Sequence, residues 1–285
     1  MNMMKYSNIQ RKPITRLAFV LCIPMLWAAT CQTPTVAPTS TVAVEAESTP
    51  NEAAEHVVTP KDSVDVPVGI RAYSKDELLG RFEPNKHPDF VLIQKKHTGK
   101  DGIYLQRGAY EAFQRMYDAA KAAGLNISII SATRNFNYQK GIWEKKWLRE
   151  KYKGMSDRDK VADIMKFSSM PGTSRHHWGT DVDFNSVELA YWQSGSGAKI
   201  YKWLVENAPT YGFHQTYTNK SAGRSGYEEE KWHWSYMPIA REMHRQFKSN
   251  IAYADITGFS GCKEAEGLNV FATYVDGIAP ELLPK

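Results

Sequence analysis

Apolar positions recur in two rhythms along the chain. From Leu105 to Ala123, Tyr110, Phe113, Tyr117 and Ala120 fall at spacings of three and four, which predicts a helix with one buried face. Gly124 suits its C-cap. Gly197 to Ala208 repeats the pattern with Ile200, Trp203, Leu204 and Ala208 on one side, and Pro209 ends it. A helix-like run passes through Trp143 and Trp147, another covers residues 157–167, and Pro238 opens a last helix to about Lys248. The second rhythm has period two. Residues 90–93 and 126–131, a stretch from Gly179, a turn at Tyr211-Gly212 leading into Phe213, and the alternation Trp232, Trp234, Tyr236 all predict strands. Residues 251–285 carry only weak signals and are expected as a tail packed on a domain of residues 68–250.

The first 67 residues follow neither rhythm. Basic residues end at Arg16, and Leu17 to Ala29 is then apolar apart from Pro24. That run matches a signal-peptide core and is well short of the ~18–20 residues that span a bilayer. Cys31 follows Ala28-Ala29-Thr30, so residues 1–31 resemble a leader with a lipobox, whose cysteine is lipidated. The alternative is ordinary cleavage and a soluble product. Both routes take the protein out of the cytoplasm to the cell envelope or periplasm. Residues 32–67 contain five prolines and no aromatic residue, which predicts a disordered linker.

Composition changes this picture in two ways. The formal net charge is +5, but residues 1–30 hold four bases and no acid. The remainder is nearly neutral, which gives no electrostatic case for nucleic acid. With Cys22 in the leader and Cys31 as anchor, Cys262 stands alone, so no intrachain disulfide is expected and Cys262 reads as a small buried residue.

The candidate chemistry lies in Ser174-Arg175-His176-His177-Trp178-Gly179-Thr180-Asp181-Val182-Asp183-Phe184, answered about fifty residues later by Glu230-Lys231-Trp232-His233-Trp234. Together they supply two histidines, an aspartate and a glutamate. That is the inventory of a catalytic zinc site, in which three protein ligands leave one position for water and a carboxylate that is not a ligand takes a proton. In a strand, Asp181 and Asp183 point the same way and repel unless a cation or hydrogen-bond donors lie between them. An exposed, solvated pair is the plainer reading. A regular strand would put Glu230 opposite His233, so both reach one water only if the chain bends there. Arg134 follows the predicted strand 126–131, where functional loops gather. Neither HExxH nor GxSxG occurs. Spacing alone leaves open His176 against His177 and Asp181 against Asp183.

These residues resemble the VanY-like D-alanyl-D-alanine carboxypeptidases, part of a zinc peptidase group that includes D-alanyl-D-alanine dipeptidases and has a hedgehog-like fold. The family pattern S-x-H-x-x-G-x-A-x-D falls on Ser174, His176, Gly179 and Asp183, and E-x-W-H on Glu230, Trp232 and His233. Ser131, Arg134, Tyr138 and Gln139 match an upstream S-x-x-R-x-x-x-Y-Q, and the resemblance covers about residues 105–245. It implies an α+β fold, with a small, mostly antiparallel sheet and packed helices. It implies zinc held by His176, Asp183 and His233, Glu230 as general base, and Arg134 as oxyanion stabiliser. Ser174 and Gln139 would contact substrate or support those that do. Asp181 departs from the pattern, replacing a small residue. The implied protein is a monomeric, exported enzyme that removes the terminal D-alanine of peptidoglycan stem peptides. L,D-carboxypeptidase, dipeptidase or endopeptidase action, with residues 214–229 deciding between them, is the near alternative. A non-catalytic, zinc-stabilised wall-binding module is the distant one.

Overall fold

The computed structural model describes residues 71–285. The expected leader, Cys31 and the linker lie outside the described residues. Among the described residues no helix is long and apolar enough to cross a membrane.

Helix α1 (Lys75–Leu79) is short and closed by a capping box between Ser74 and Glu77. Strands β1 (Phe90–Leu92) and β2 (Tyr104–Gln106) pair antiparallel. The helix expected from Leu105 therefore starts later, as α2 (Arg107–Ala122), because residues 104–106 are used in that ladder. β3 (Ile129–Ser131) is half the predicted strand; before it, the Ser128 amide turns aside to the Asn185 side chain. α3 (Phe136–Trp147) and α4 (Asp157–Ile164) follow, each N-capped by a side chain, Asn135 and Ser156.

A 3-10 turn at Arg175–Trp178 ends at Gly179, which has φ +68° and so favours glycine. A Cβ there would also strike the Phe90 ring. This turn feeds β4 (Asp181–Phe184). After α5 (Gly195–Asn207) come β5 (Phe213–Gln215) and β6 (His233–Tyr236), then α6 (Met237–Asn250). α6 is not the last helix, since α7 (Glu264–Gly267) lies in the C-terminal segment.

β3, β4, β6 and β5 form an antiparallel sheet in that order. Asp183 stands opposite His233 and Ser131, and Asp181 opposite Ser235. The sheet's period of two divides its side chains. Val182, Phe184, Phe213 and Trp234 face a core built with Phe113, Met116 and Leu204 of α2 and α5, where Phe113 stacks on Phe184 with ring centroids 5.7 Å apart. Asp181, Asp183, His233 and Ser235 occupy the other face.

The C-terminal segment does more than cover the surface. Ile256, Phe259, Val270 and Val275 pack with Trp143, Val161 and Phe247 in a second core, and the Trp143 indole donates to the Ser260 carbonyl. Ile278, Ala279 and Leu282 pack with Tyr217 and Tyr227. Hydrogen bonds from Ala279 N–H to the Thr216 carbonyl, from Arg224 to Gly277, and from Ser225 to Thr273 brace the 216–227 loop. Cys262 is half-buried among these residues rather than buried as expected.

Candidate metal centre

β4, β6 and the 3-10 turn before β4 bring His176, Asp183 and His233 together. One ligand atom from each lies within 4.8 Å of the others, and all three residues are buried. His176 Nδ1–H donates to the Ala132 carbonyl at 2.7 Å, which fixes the tautomer and leaves an Nε2 lone pair. That Nε2 is buried with no hydrogen-bond partner and stands 3.5 Å from Asp183 Oδ2. On the far side, His233 Nδ1 stands 3.1 Å from Asp183 Oδ1, while its Nε2 lies 2.9 Å from Asp181 Oδ2.

This set fits a divalent cation. Two imidazole nitrogens and a carboxylate are a zinc-type donor set, and donors about 2.0–2.2 Å from zinc stand roughly 3.3 Å apart in a tetrahedron. The observed 3.1 and 3.5 Å separations bracket that value. The orphaned Nε2 of His176 is the sharpest sign, since buried polar atoms are nearly always partnered.

Electrostatics agree with the geometry. Burial pushes the His176 pKa down. Burial would also lower His233, but the hydrogen bonds to Asp181 and Asp183 outweigh it and hold the imidazole up to about 9. Asp183 resists the upward push of burial and stays well below the usual carboxylate range beside the two histidines. Glu230 behaves differently. Burial, with Asp183 adding to it against the pull of His233, raises its carboxyl to about 7.

Glu230 reaches this centre through the bend that a regular strand lacks. β6 begins only at His233, and residues 230–233 form a turn closed by His233 N–H to the Glu230 carbonyl. Glu230 Oε2 then stands 3.9 Å from His233 Nδ1. Arg134, in the loop after β3, sends Nη1 to within 3.9 Å of Asp183 Oδ2, and its buried Nε has no partner.

All these groups line one cavity of about 500 Å³. Lys146 of α3, Tyr217 and Tyr227 of the braced loop, and the half-exposed Phe167 and Val187 complete its walls. Tyr217 packs on the His233 ring with centroids 4.6 Å apart. Burial, together with Arg149 and Arg134, lowers Lys146 to about 8. None of these wall residues was singled out in the sequence, although Tyr217 and Tyr227 fall within residues 214–229, which were expected to decide specificity.

Ser174 and Gln139, expected to contact substrate or to support residues that do, are buried and do not line the cavity. Gln139 acts from behind, donating from Nε2 to the carbonyl of Ser169, which does line it. His177 also faces away. Its Nδ1–H donates to the Arg134 carbonyl and its Nε2 accepts from the Gly172 amide, and burial lowers its pKa to about 3. It therefore holds the Arg134 loop in place.

The family model described as VanY, D-alanyl-D-alanine carboxypeptidase, matches residues 102–239. A D-alanyl-D-alanine carboxypeptidase of Enterococcus faecalis is 31% identical over 126 residues, 44% of this chain and 46% of that one. The YodJ protein of Bacillus subtilis is 28% identical over 169 residues, 56% of each chain. The chain thus spans about half the length of these curated relatives. A solved structure of VanYB in complex with D-alanine-D-alanine has 26% sequence identity and a TM-score of 0.44, covering 57% of this chain and 86% of that one. The stretch that supplies every side chain of the centre, residues 102–239, is the stretch that matches the VanY family of D-alanyl-D-alanine carboxypeptidases.

Proposed function

We propose that this chain is an exported zinc carboxypeptidase that hydrolyses the terminal D-Ala–D-Ala bond of peptidoglycan stem peptides. One observation carries the reading: a buried carboxyl, Glu230, held up to about 7, stands beside three clustered metal donors in one cavity. A structural metal site needs no such group, and this weighs against a wall-binding module without turnover.

His176 Nε2, Asp183 and His233 Nδ1 would hold the zinc. Zinc in that place supplies a Lewis acid that polarises a carbonyl and makes water nucleophilic near neutral pH. Glu230 takes the proton released from the attacking water. With a carboxyl near 7 it can hold that proton and then deliver it to the leaving amine nitrogen. Arg134, charged at every working pH, opposes the negative charge that grows on the carbonyl oxygen. Lys146 makes no ion pair among the described residues and faces the same cavity, so it offers a partner to the free carboxylate that marks a peptide's C-terminus. Export, with a lipid anchor at Cys31, would place the enzyme beside its polymeric substrate.

The test is incubation of the protein with a stem pentapeptide ending in D-Ala-D-Ala, with and without chelator, and product identification by mass. Loss of one D-alanine that the chelator abolishes is the expected result. Fragments cut elsewhere would move the scissile bond to the L,D or endopeptidase alternative. Intact peptide with folded, zinc-loaded protein would overturn the enzymatic reading.

A further inference from the structure

Asp181 stands where the VanY-type pattern carries a small residue, and it is wholly buried. An isolated carboxylate in such a place is strongly unfavourable, so its surroundings must account for it. Arg175, 1% exposed, donates from Nε to Asp181 Oδ2 at 3.0 Å. Ser235 Oγ donates to Oδ1 at 2.6 Å and accepts from Arg175 Nη2 at 2.8 Å, and Thr180 Oγ donates to Oδ1 at 2.8 Å. Both carboxylate oxygens are thus held from the 3-10 turn, from Thr180 just before β4, and from β6. The Trp178 ring lies 4.7 Å from the guanidinium carbon. On its outer side Arg175 Nη1 stands 3.5 Å from His244 Nδ1, and His244 Nε2 is paired with Asp276 of the C-terminal segment.

What this frame delivers to the metal centre is a single fixed acceptor, Oδ2, at 2.9 Å from His233 Nε2. A carboxylate can only accept, so Nε2 must carry a proton, and the free lone pair of a neutral His233 is then at Nδ1, on the side of Asp183 and Glu230. Without such an acceptor the ring could take either tautomer. Histidines that bind metals are commonly oriented in this way by a partner on the other nitrogen.

We propose that Asp181, itself locked by Arg175, is a positioning residue that presents Nδ1 of His233 to a divalent cation. This rests on the metal-dependent reading above. The ion pair is therefore part of the metal-holding apparatus rather than a structural bridge that happens to lie nearby.

Zinc affinity, measured by competition with a chromophoric chelator, tests the proposal. The variants are Asp181→Asn and the pair Arg175→Met with Asp181→Ala, which removes both charges so that neither is left buried alone. Circular dichroism and melting of the metal-free proteins establish folding. Folded variants are expected to bind zinc about 10- to 100-fold more weakly than the parent. A folded variant that binds within threefold of the parent overturns the positioning role. The zinc-loaded parent gives a readout that needs no substitution: nitrogen–proton NMR should find the His233 proton on Nε2, and a proton on Nδ1 overturns the proposal. A parent that binds no zinc overturns this inference together with the proposed function, whereas zinc binding indifferent to Asp181 overturns this inference alone.

Discussion

β4 has two faces, both buried, and they are built on opposite principles. Val182 and Phe184 meet Phe113, Phe213 and Trp234 through shape and apolar contact. Asp181 and Asp183, one residue out of phase, meet only ionic and hydrogen-bonding partners. The first face stabilises the fold by removing apolar area from water, at about 25 cal/mol per Å². The second face works against stability, because every charge taken from water must be matched before the chain gains anything. A strand can carry both because its side chains alternate, so one rigid ladder both anchors the core and fixes the donor spacing.

If the faces are separable in this way, substitutions on them should fail differently. Glu230→Gln is expected to lower kcat about 100- to 10,000-fold, while the metal-free protein melts no lower than the parent, since a buried carboxyl has been replaced by a neutral amide. D-alanine release and thermal melting measure the two sides, and a matching fall in stability would break the distinction. Phe184→Ala should cost about 3–5 kcal/mol of unfolding free energy, read from urea titration. Its remaining folded fraction should turn over substrate nearly normally, and a selective loss of kcat in folded protein would show that the faces are coupled. The smallest effect concerns Lys146, with its pKa lowered to about 8 by burial and neighbouring arginines. The ammonium is present below that pH and lost above it. KM for a peptide with a free C-terminal carboxylate should therefore hold steady at pH 6–7.5 and rise above about 8. Lys146→Met should raise KM roughly tenfold at pH 7, the scale of one charge-assisted contact, and flatten the pH profile. A KM unchanged by the substitution would remove Lys146 from carboxylate recognition.

The two faces were unequally legible in the sequence. Alternation around Val182, Phe184, Trp232 and Trp234 shows the strands directly, because period two needs no partner to be visible. A cluster of two histidines and an aspartate could be anticipated from residue types, whereas His176 over His177 and Asp183 over Asp181 came only from the family resemblance; the like-charge argument for Asp181 and Asp183 pointed rightly to something between them. What lies between them is the His233 imidazole, held at both nitrogens. Arg175 was not separable from any other basic residue, since burial at that position depends on the fold of α6 over it. His244 was invisible for the same reason. The bend at Glu230 follows from where the β6 ladder stops, a tertiary fact that alternation cannot supply. Lys146, Tyr217 and Tyr227 meet in the cavity although they come from a helix and a loop some seventy residues apart. Ser174 and Gln139 show the converse: a position of the motif can lie behind the wall of a site rather than in it.

The bracing of the 216–227 loop by residues 273–282 has a consequence in time. A chain made from its N-terminus has emitted all three metal donors by residue 233, yet the aromatic wall opposite them gains its support only some forty to fifty residues later. During that interval the donors can meet one another without the enclosure that excludes water. The order of synthesis thus makes the cavity the last part of this protein to mature, and the stretch after α6 sets the moment at which it does.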